Sequence, residues 1–291
     1  MLYRAHFHAL ELQLELTRGG IRHIVTSGVR FFEQRHIKDV CSVVKLVTNP
    51  GDELAFARLL GLLKGVGPKT ISKLWVTLGG RFNVFDGKQR EALAGALRGE
   101  GRRQWQRIEP VLTAYLGEKT GRDGGEIVAR FVSAFYDEYA NNNFEDVERR
   151  MEDIRELILH AGRYDSLDAF LADVALLTNV DAETDVNRAQ ADDAVHLSTI
   201  HQAKGLEWSV VILIWACEGM FPAPRTVKEV EDGEAEERRL FYVTITRAKD
   251  ELCVCAPEMR RTRDGGAMYM PLSRFVSEIP QHLFRRARPA F

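Results

Sequence analysis

The chain has 291 residues, 45% apolar and 28% charged, which excludes a disordered protein and supplies one large core or two smaller ones. Its net charge of −2 means that any nucleic-acid surface must be local, because the whole molecule exerts no basic pull. No apolar run approaches the roughly 20 residues of a bilayer span, and Met1-Leu2-Tyr3-Arg4 opens no signal peptide, so the expected compartment is the cytoplasm.

In chain order, Leu2-Tyr3-Arg4 predicts a short strand, followed by a helix carrying Leu10, Leu12, Leu14 and Leu16. A strand near Ile24-Val25 and a helix from Glu33 to Val47 come next, and Asn49-Pro50-Gly51-Asp52 breaks the pattern with turn chemistry. Residues 53–180 read as helical throughout. Leu54, Phe56, Leu59, Leu60 and Leu63 recur at helical spacing, as do Ile127, Phe131, Phe135 and Tyr139. Charge is uneven here: seven Arg or Lys against three Asp or Glu between Arg81 and Arg107, then four Arg against nine acids between Asp137 and Asp165. Solvated helix faces account for such runs in most proteins.

Residues 181–193 hold five acids and one Arg without apolar periodicity, which predicts an exposed connection. The texture then changes. Val195–Ile200 reads as a strand, and Val210-Val211-Ile212-Leu213-Ile214-Trp215 suits a strand buried on both faces of a parallel sheet. A helix over Glu234–Lys249 and another buried strand over Glu251–Ala256 complete an α/β order. Cys41, Cys217, Cys253 and Cys255 show no C-x-x-C spacing and no zinc cluster, and read as reduced thiols used as small core residues.

Two segments carry chemistry. Val195-His196-Leu197-Ser198-Thr199-Ile200-His201-Gln202-Ala203-Lys204-Gly205-Leu206-Glu207-Trp208 is a strand ending in a polar loop, and ligands gather at the carboxyl ends of such strands. Ser198, Thr199 and His201 can donate to phosphate, Lys204 adds charge, Gly205 permits an unusual turn, and Glu207 can accept from a ribose hydroxyl. Spacing alone leaves an ordinary surface loop open. In the second segment Glu236, Leu240, Val243 and Arg247 share a helical stripe, so Arg247 continues an otherwise buried row. An Arg beside a cleft suits phosphoryl transfer; an ion pair with Glu236, Glu237 or Glu251 is the structural alternative.

Thr199, His201, Lys204, Gly205, Leu206 and Glu207 form T-x-H-x-x-K-G-L-E, which resembles motif V of superfamily 1 helicases of the UvrD/PcrA/Rep type. Arg238-Arg239-Leu240-Phe241-Tyr242-Val243-Thr244-Ile245-Thr246-Arg247-Ala248 resembles their motif VI, and Glu218-Gly219-Met220-Phe221-Pro222 and Pro271-Leu272-Ser273-Arg274-Phe275 match as well. Tyr3-Arg4-Ala5-His6 resembles the family's Y-R-x-N element, with His6 in place of Asn. Gly28-Val29-Arg30-Phe31-Phe32-Glu33 and Ile37-Lys38-Asp39 continue the match into the domain inserted in this lobe. The resemblance implies that Glu207 contacts the nucleotide sugar, with Gly205 in the same nucleotide loop, and Arg247 the γ-phosphate. It also implies that Arg4 contacts single-stranded DNA, and that Thr199 and His201 couple the nucleotide cleft to the DNA track.

Gly61-Leu62-Leu63-Lys64-Gly65-Val66-Gly67-Pro68-Lys69-Thr70 looks superficially like a P-loop, but Pro68 separates Gly67 from Lys69 and no buried strand precedes it. It resembles a helix-hairpin-helix instead, with Gly65, Gly67, Lys69 and Lys73 placed to grip duplex phosphate; a purely structural turn is the alternative. No G-x-x-x-x-G-K-[ST], magnesium-holding D-E-x-Q or N-Y-R-S element occurs. The expected architecture is an incomplete α/β RecA-like lobe over residues 1–27 and 189–291, with an all-helical insertion over 28–188. The resemblance implies ATP-dependent 3′→5′ DNA unwinding, with ATP and Mg bound only together with a separate P-loop lobe, and single-stranded and duplex DNA as partners. A non-enzymatic module binding DNA or a helicase is the rival from another class.

Overall fold

The computed structural model describes residues 1–26, 31–114, 124–186, 193–262 and 266–287. Gly28, Val29 and Arg30 of the matched element, and 187–192 of the expected connection, lie outside them. By contacts the chain divides into two compact units: Met1–Arg30 with Val180–Phe291, and Phe31–Asn179.

The first unit holds strands β1 (Leu2–Tyr3), β2 (His23–Val25), β3 (Val195–Thr199), β4 (Trp208–Leu213) and β5 (Ala248–Val254) in one sheet. Helix α1 (Leu10–Arg18) belongs to the same unit. All pairings in the sheet are parallel and the order is β2-β3-β1-β4-β5. This is the α/β, RecA-like parallel-sheet lobe expected. Adjacent strand residues face opposite sides. Leu2 therefore joins Val211, Leu213, Phe221, Phe241 and Phe275 on one face, while Tyr3 joins Leu197, Ala9 and Leu16 on the other.

The second unit is built from helices α2 (Arg35–Thr48), α3 (Glu53–Gly61), α4 (Pro68–Thr77), α5 (Gly87–Ala96) and α6 (Gly99–Thr113). It continues with α7 (Gly124–Phe131), α8 (Asp137–Asn143), α9 (Val147–Ala161) and α10 (Leu167–Val186), the last crossing the division between units. Local chemistry fixes the ends. Asp52 and Asp86 accept backbone N–H groups at the starts of α3 and α5, and Pro68 opens α4 where its missing N–H is harmless. Trp75, Phe56, Phe82 and Trp105 pack in a chain of ring contacts through the unit's core. After α10 the first unit adds α11 (Pro224–Glu229), α12 (Gly233–Ile245), the antiparallel pair β6 (Met259–Arg261) and β7 (Ala267–Tyr269), and α13 (Arg274–Ser277).

Several expectations need correction. The connection read from 181 onward is helical to Val186, a stretch in which Ala182 and Glu183 favour a helix. Leu54 is 83% exposed, although it matched the helical spacing. Between α7 and α8, Val132–Tyr136 form a π-turn whose extra residue buries both Phe135 and Tyr136. The run at 210–215 is not buried on both faces, since Val210 is 51% exposed. Strand β5 likewise exposes Lys249, Asp250 and Glu251, because it lies at the sheet edge beside β4 alone. Cys41 and Cys217 are core residues, and burial pushes their thiols up to about 12 and about 11, but Cys255 is exposed.

Candidate functional site

The carboxyl ends of β1 and β3 lie side by side, with Tyr3 opposite Thr199 in the parallel register. Beyond β3 the chain turns tightly: the Thr199 carbonyl accepts from the N–H groups of Gln202 and Ala203. Ile200 and Ala203 are fully buried and pin the loop, while His201, Lys204, Gly205, Leu206 and Glu207 stand exposed. Gly205 adopts φ of 88°, a left-handed conformation that disfavours a side chain.

Arg247 reaches this loop from the end of α12. Its Nη1 donates to the Leu206 carbonyl at 3.0 Å, its Nε to the Val243 carbonyl at 2.9 Å, and its Nη2 to the Thr246 hydroxyl at 3.1 Å. The Trp208 N–H in turn donates to the Arg247 carbonyl. No carboxylate among the described residues lies within ion-pair distance of Arg247, so the guanidinium is held by neutral groups alone. The anticipated pairing with Glu236, Glu237 or Glu251 does not occur. Nor does Arg247 continue a buried row: the buried stripe of α12 is Gly233, Glu237, Phe241 and Thr244, one residue later than the spacing suggested. Gly205, Glu207 and Arg247 are thus brought together just before the amino ends of β4 and β5, with Lys249 3.9 Å from Glu207.

Arg4, just past β1, donates from Nε and Nη2 to the Glu237 carboxylate at 2.9 and 2.6 Å, and from Nη2 to the Thr226 hydroxyl at 3.3 Å. Glu237 is fully buried and also accepts the Ala223 N–H at 3.1 Å. Sequence reasoning missed this carboxylate as the partner of Arg4, because it weighed Glu237 only as a partner for Arg247 on the same segment. A second network went unseen as well. Glu218 takes the side chain and backbone N–H of Arg274, which also meets Glu234, while Arg238 bridges Glu234 and Glu278 and lies over Phe275. The hydrogen bonds from Arg274 hold the Glu218 carboxyl below its usual range. Trp215, at φ of 59° beyond β4, donates to the His8 carbonyl, and burial lowers the His8 imidazole to about 3.

In the helical unit, residues 62–67 join α3 to α4, so the P-loop look-alike sits between two helices. Gly65 has φ of 81°, and a Cβ at Gly65 or Gly67 would meet nothing within 4 Å. The N–H groups of Gly65, Gly67, Lys69 and Thr70 have no acceptor among the described residues, and Lys64, Lys69 and Lys73 are exposed with no carboxylate partner among them. The turn therefore presents open amides and cations.

A parallel-sheet lobe with a polar loop and an unneutralised arginine at its strand ends is of RecA-like construction. Comparison agrees with that class: the UvrD-like helicase C-terminal domain matches residues 1–86 and 102–258, and the chain belongs to this family. It is 28% identical over 295 residues to the ATP-dependent DNA helicase PcrA of Bacillus subtilis, covering 97% of this chain and 39% of the relative. It is 31% identical over 304 residues to DNA helicase II of Escherichia coli, covering 99% of this chain and 41% of the relative. The chain thus spans about two fifths of the length of these relatives. Among the described residues no helix is long and apolar enough to cross a membrane.

Proposed function

We propose that this chain is the second motor lobe of an ATP-driven DNA helicase acting 3′→5′, with the helical unit as the family's inserted domain. The observation that carries the reading is the bond from Arg247 to the Leu206 carbonyl, which fastens two helicase-like motifs together. There Glu207 takes the nucleotide sugar, Gly205 gives the loop its shape, and Arg247 turns its remaining N–H groups toward the γ-phosphate. A cation held only by neutral groups keeps its full charge for a phosphoryl group. ATP is the substrate, and the P-loop and magnesium carboxylates come from a P-loop lobe. Single-stranded DNA runs past Arg4, Thr199 and His201 at the ends of β1 and β3. Arg4 is held at Nε and Nη2, leaving Nη1 without a partner among the described residues and able to meet a phosphate. The turn at Gly65–Gly67, with Lys69 and Lys73, takes duplex phosphates.

Arg247→Ala, in an enzyme that joins this chain to a P-loop lobe, tests the proposal. Loss of an arginine finger lowers kcat by roughly 10³ or more, with DNA binding retained. A variant with near-normal kcat would make Arg247 a structural tie between loop and helix.

A further inference from the structure

The turn that joins α3 to α4 does not stand alone on its surface. Helix α6 begins against it. Gly101, in the first turn of α6, is buried, and a Cβ there would lie 2.7 Å from the Lys64 carbonyl oxygen and 3.2 Å from Cγ2 of Val66. Only a glycine lets the two backbones approach this closely. Three residues on, the Gln104 side chain accepts the Lys64 N–H at 2.8 Å. Two contacts therefore fix the start of α6 to the turn.

The charges on this start are not neutralised. Arg102 is exposed, and no carboxylate among the described residues lies within ion-pair distance of it. Arg98 donates only to the backbone carbonyls of Gly95 and Leu97. The acid between them, Glu100, is taken up by Arg103. Elsewhere in the basic run Arg90 pairs with Glu109 and Arg107 with Glu138, while Arg81 and Lys88 have no carboxylate partner among the described residues. On α6, the cations left open are those beside the turn. Arg98 and Arg102 lie beside the place where a glycine has brought two backbones into contact.

We propose that Arg98 and Arg102, together with Lys64, form a second line of contact to the phosphates of a nucleic-acid duplex, flanking the line made by Lys69 and Lys73. This rests on the reading of the turn as a duplex grip. The chemistry is positional: guanidinium groups meet backbone phosphates and no base edge, so the contact carries no sequence preference. Gly101 serves it by setting the spacing of the two lines.

The test is fluorescence anisotropy of the full chain with matched duplex and single-stranded probes between 50 and 200 mM salt. Each phosphate contact contributes about 0.9 to the slope of log affinity against log salt. The double variant Arg98→Ala/Arg102→Ala is expected to flatten the duplex slope by about 1.8. Wild type then loses roughly tenfold more duplex affinity than the variant over that salt range. Arg102→Ala alone, at a side chain that makes no bond to the described residues, is expected to remove about 0.9 without touching the fold, and Arg102→Lys to restore it. If Lys69→Glu/Lys73→Glu flattens the slope and the arginine variants do not, this inference falls and the grip at the turn stands. If none of them changes the slope, both fall. Equal losses on both probes overturn the assignment to a duplex.

Discussion

Arg4 and Glu237, 233 residues apart, are joined by a two-nitrogen grip on a carboxylate that has no solvent exposure. The pair fastens the end of the central strand to the helix that leads into Arg247. Removing one partner of a buried pair strands the other charge, at a cost of about 3–5 kcal/mol. Arg4→Met should therefore lower stability by that amount in urea unfolding. Arg4→Met/Glu237→Met, which leaves no charge behind, should recover much of the loss. A single variant within about 1 kcal/mol of wild type would show that the pair fastens nothing.

Burial makes the His8 ring a source of acid sensitivity. Its folded-state value is lowered from 6.5 to about 3 by desolvation and, less strongly, by Arg4 and Arg260. Between those values the unfolded chain binds a proton that the folded chain refuses, so stability falls as pH drops through 6.5. By pH 5 the loss reaches about 2 kcal/mol. His8→Phe keeps a ring beside Phe7 and Trp215 and should remove this part of the slope. Urea midpoints for both proteins at pH 7.5, 6 and 5 measure the difference, and parallel profiles would contradict it.

At the turn, Lys69→Glu/Lys73→Glu should weaken duplex binding and flatten its salt dependence by about 1.8 in slope. Both side chains are exposed, so the fold is untouched. Single-strand binding, assigned to Arg4, Thr199 and His201, should change far less. Equal loss on both probes would make the turn a structural connection only.

The isolated chain should show no DNA-stimulated ATP turnover above background, because residues 1–291 contain no Gly-Lys-[Ser/Thr] loop and no D-E-x-Q carboxylates. Turnover that Arg247→Ala abolishes would mean that other residues of this chain hold the phosphates.

The sheet strands were readable because Val195–Ile200 and Val210–Trp215 are β-rich runs set between polar loops, and the structure places strands at both. The loop from Thr199 to Glu207 was readable for its residue types and its place after a strand. Glu237 was not. Spacing put the buried stripe of α12 on Glu236, Leu240 and Val243, and nothing local marks a glutamate whose partner is at the other end of the chain. Exposure of the Val210 face and of β5 depends on strand order, which a linear pattern does not carry. The π-turn at Val132–Tyr136 inserts one residue into a helical count that assumed 3.6 residues per turn throughout.

The position of β1 sets a timetable for synthesis. Leu2 sits between Ser198 and Leu213, so the innermost strand of the sheet is made first and its two neighbours far later. At 5–20 residues per second, β1 leaves the ribosome roughly ten to forty seconds before either neighbour exists. The helical unit lies wholly within that interval and has every contact of its own core available to it. It can therefore fold first, while the apolar Leu2-Tyr3 segment waits for the two strands it pairs with. Closing the intervening loop adds only a slowly growing entropic cost, but the wait exposes a strand edge to other chains. Aggregation of the nascent protein should accordingly begin at β1, and lessen when the helical unit is allowed to complete before the final strands appear.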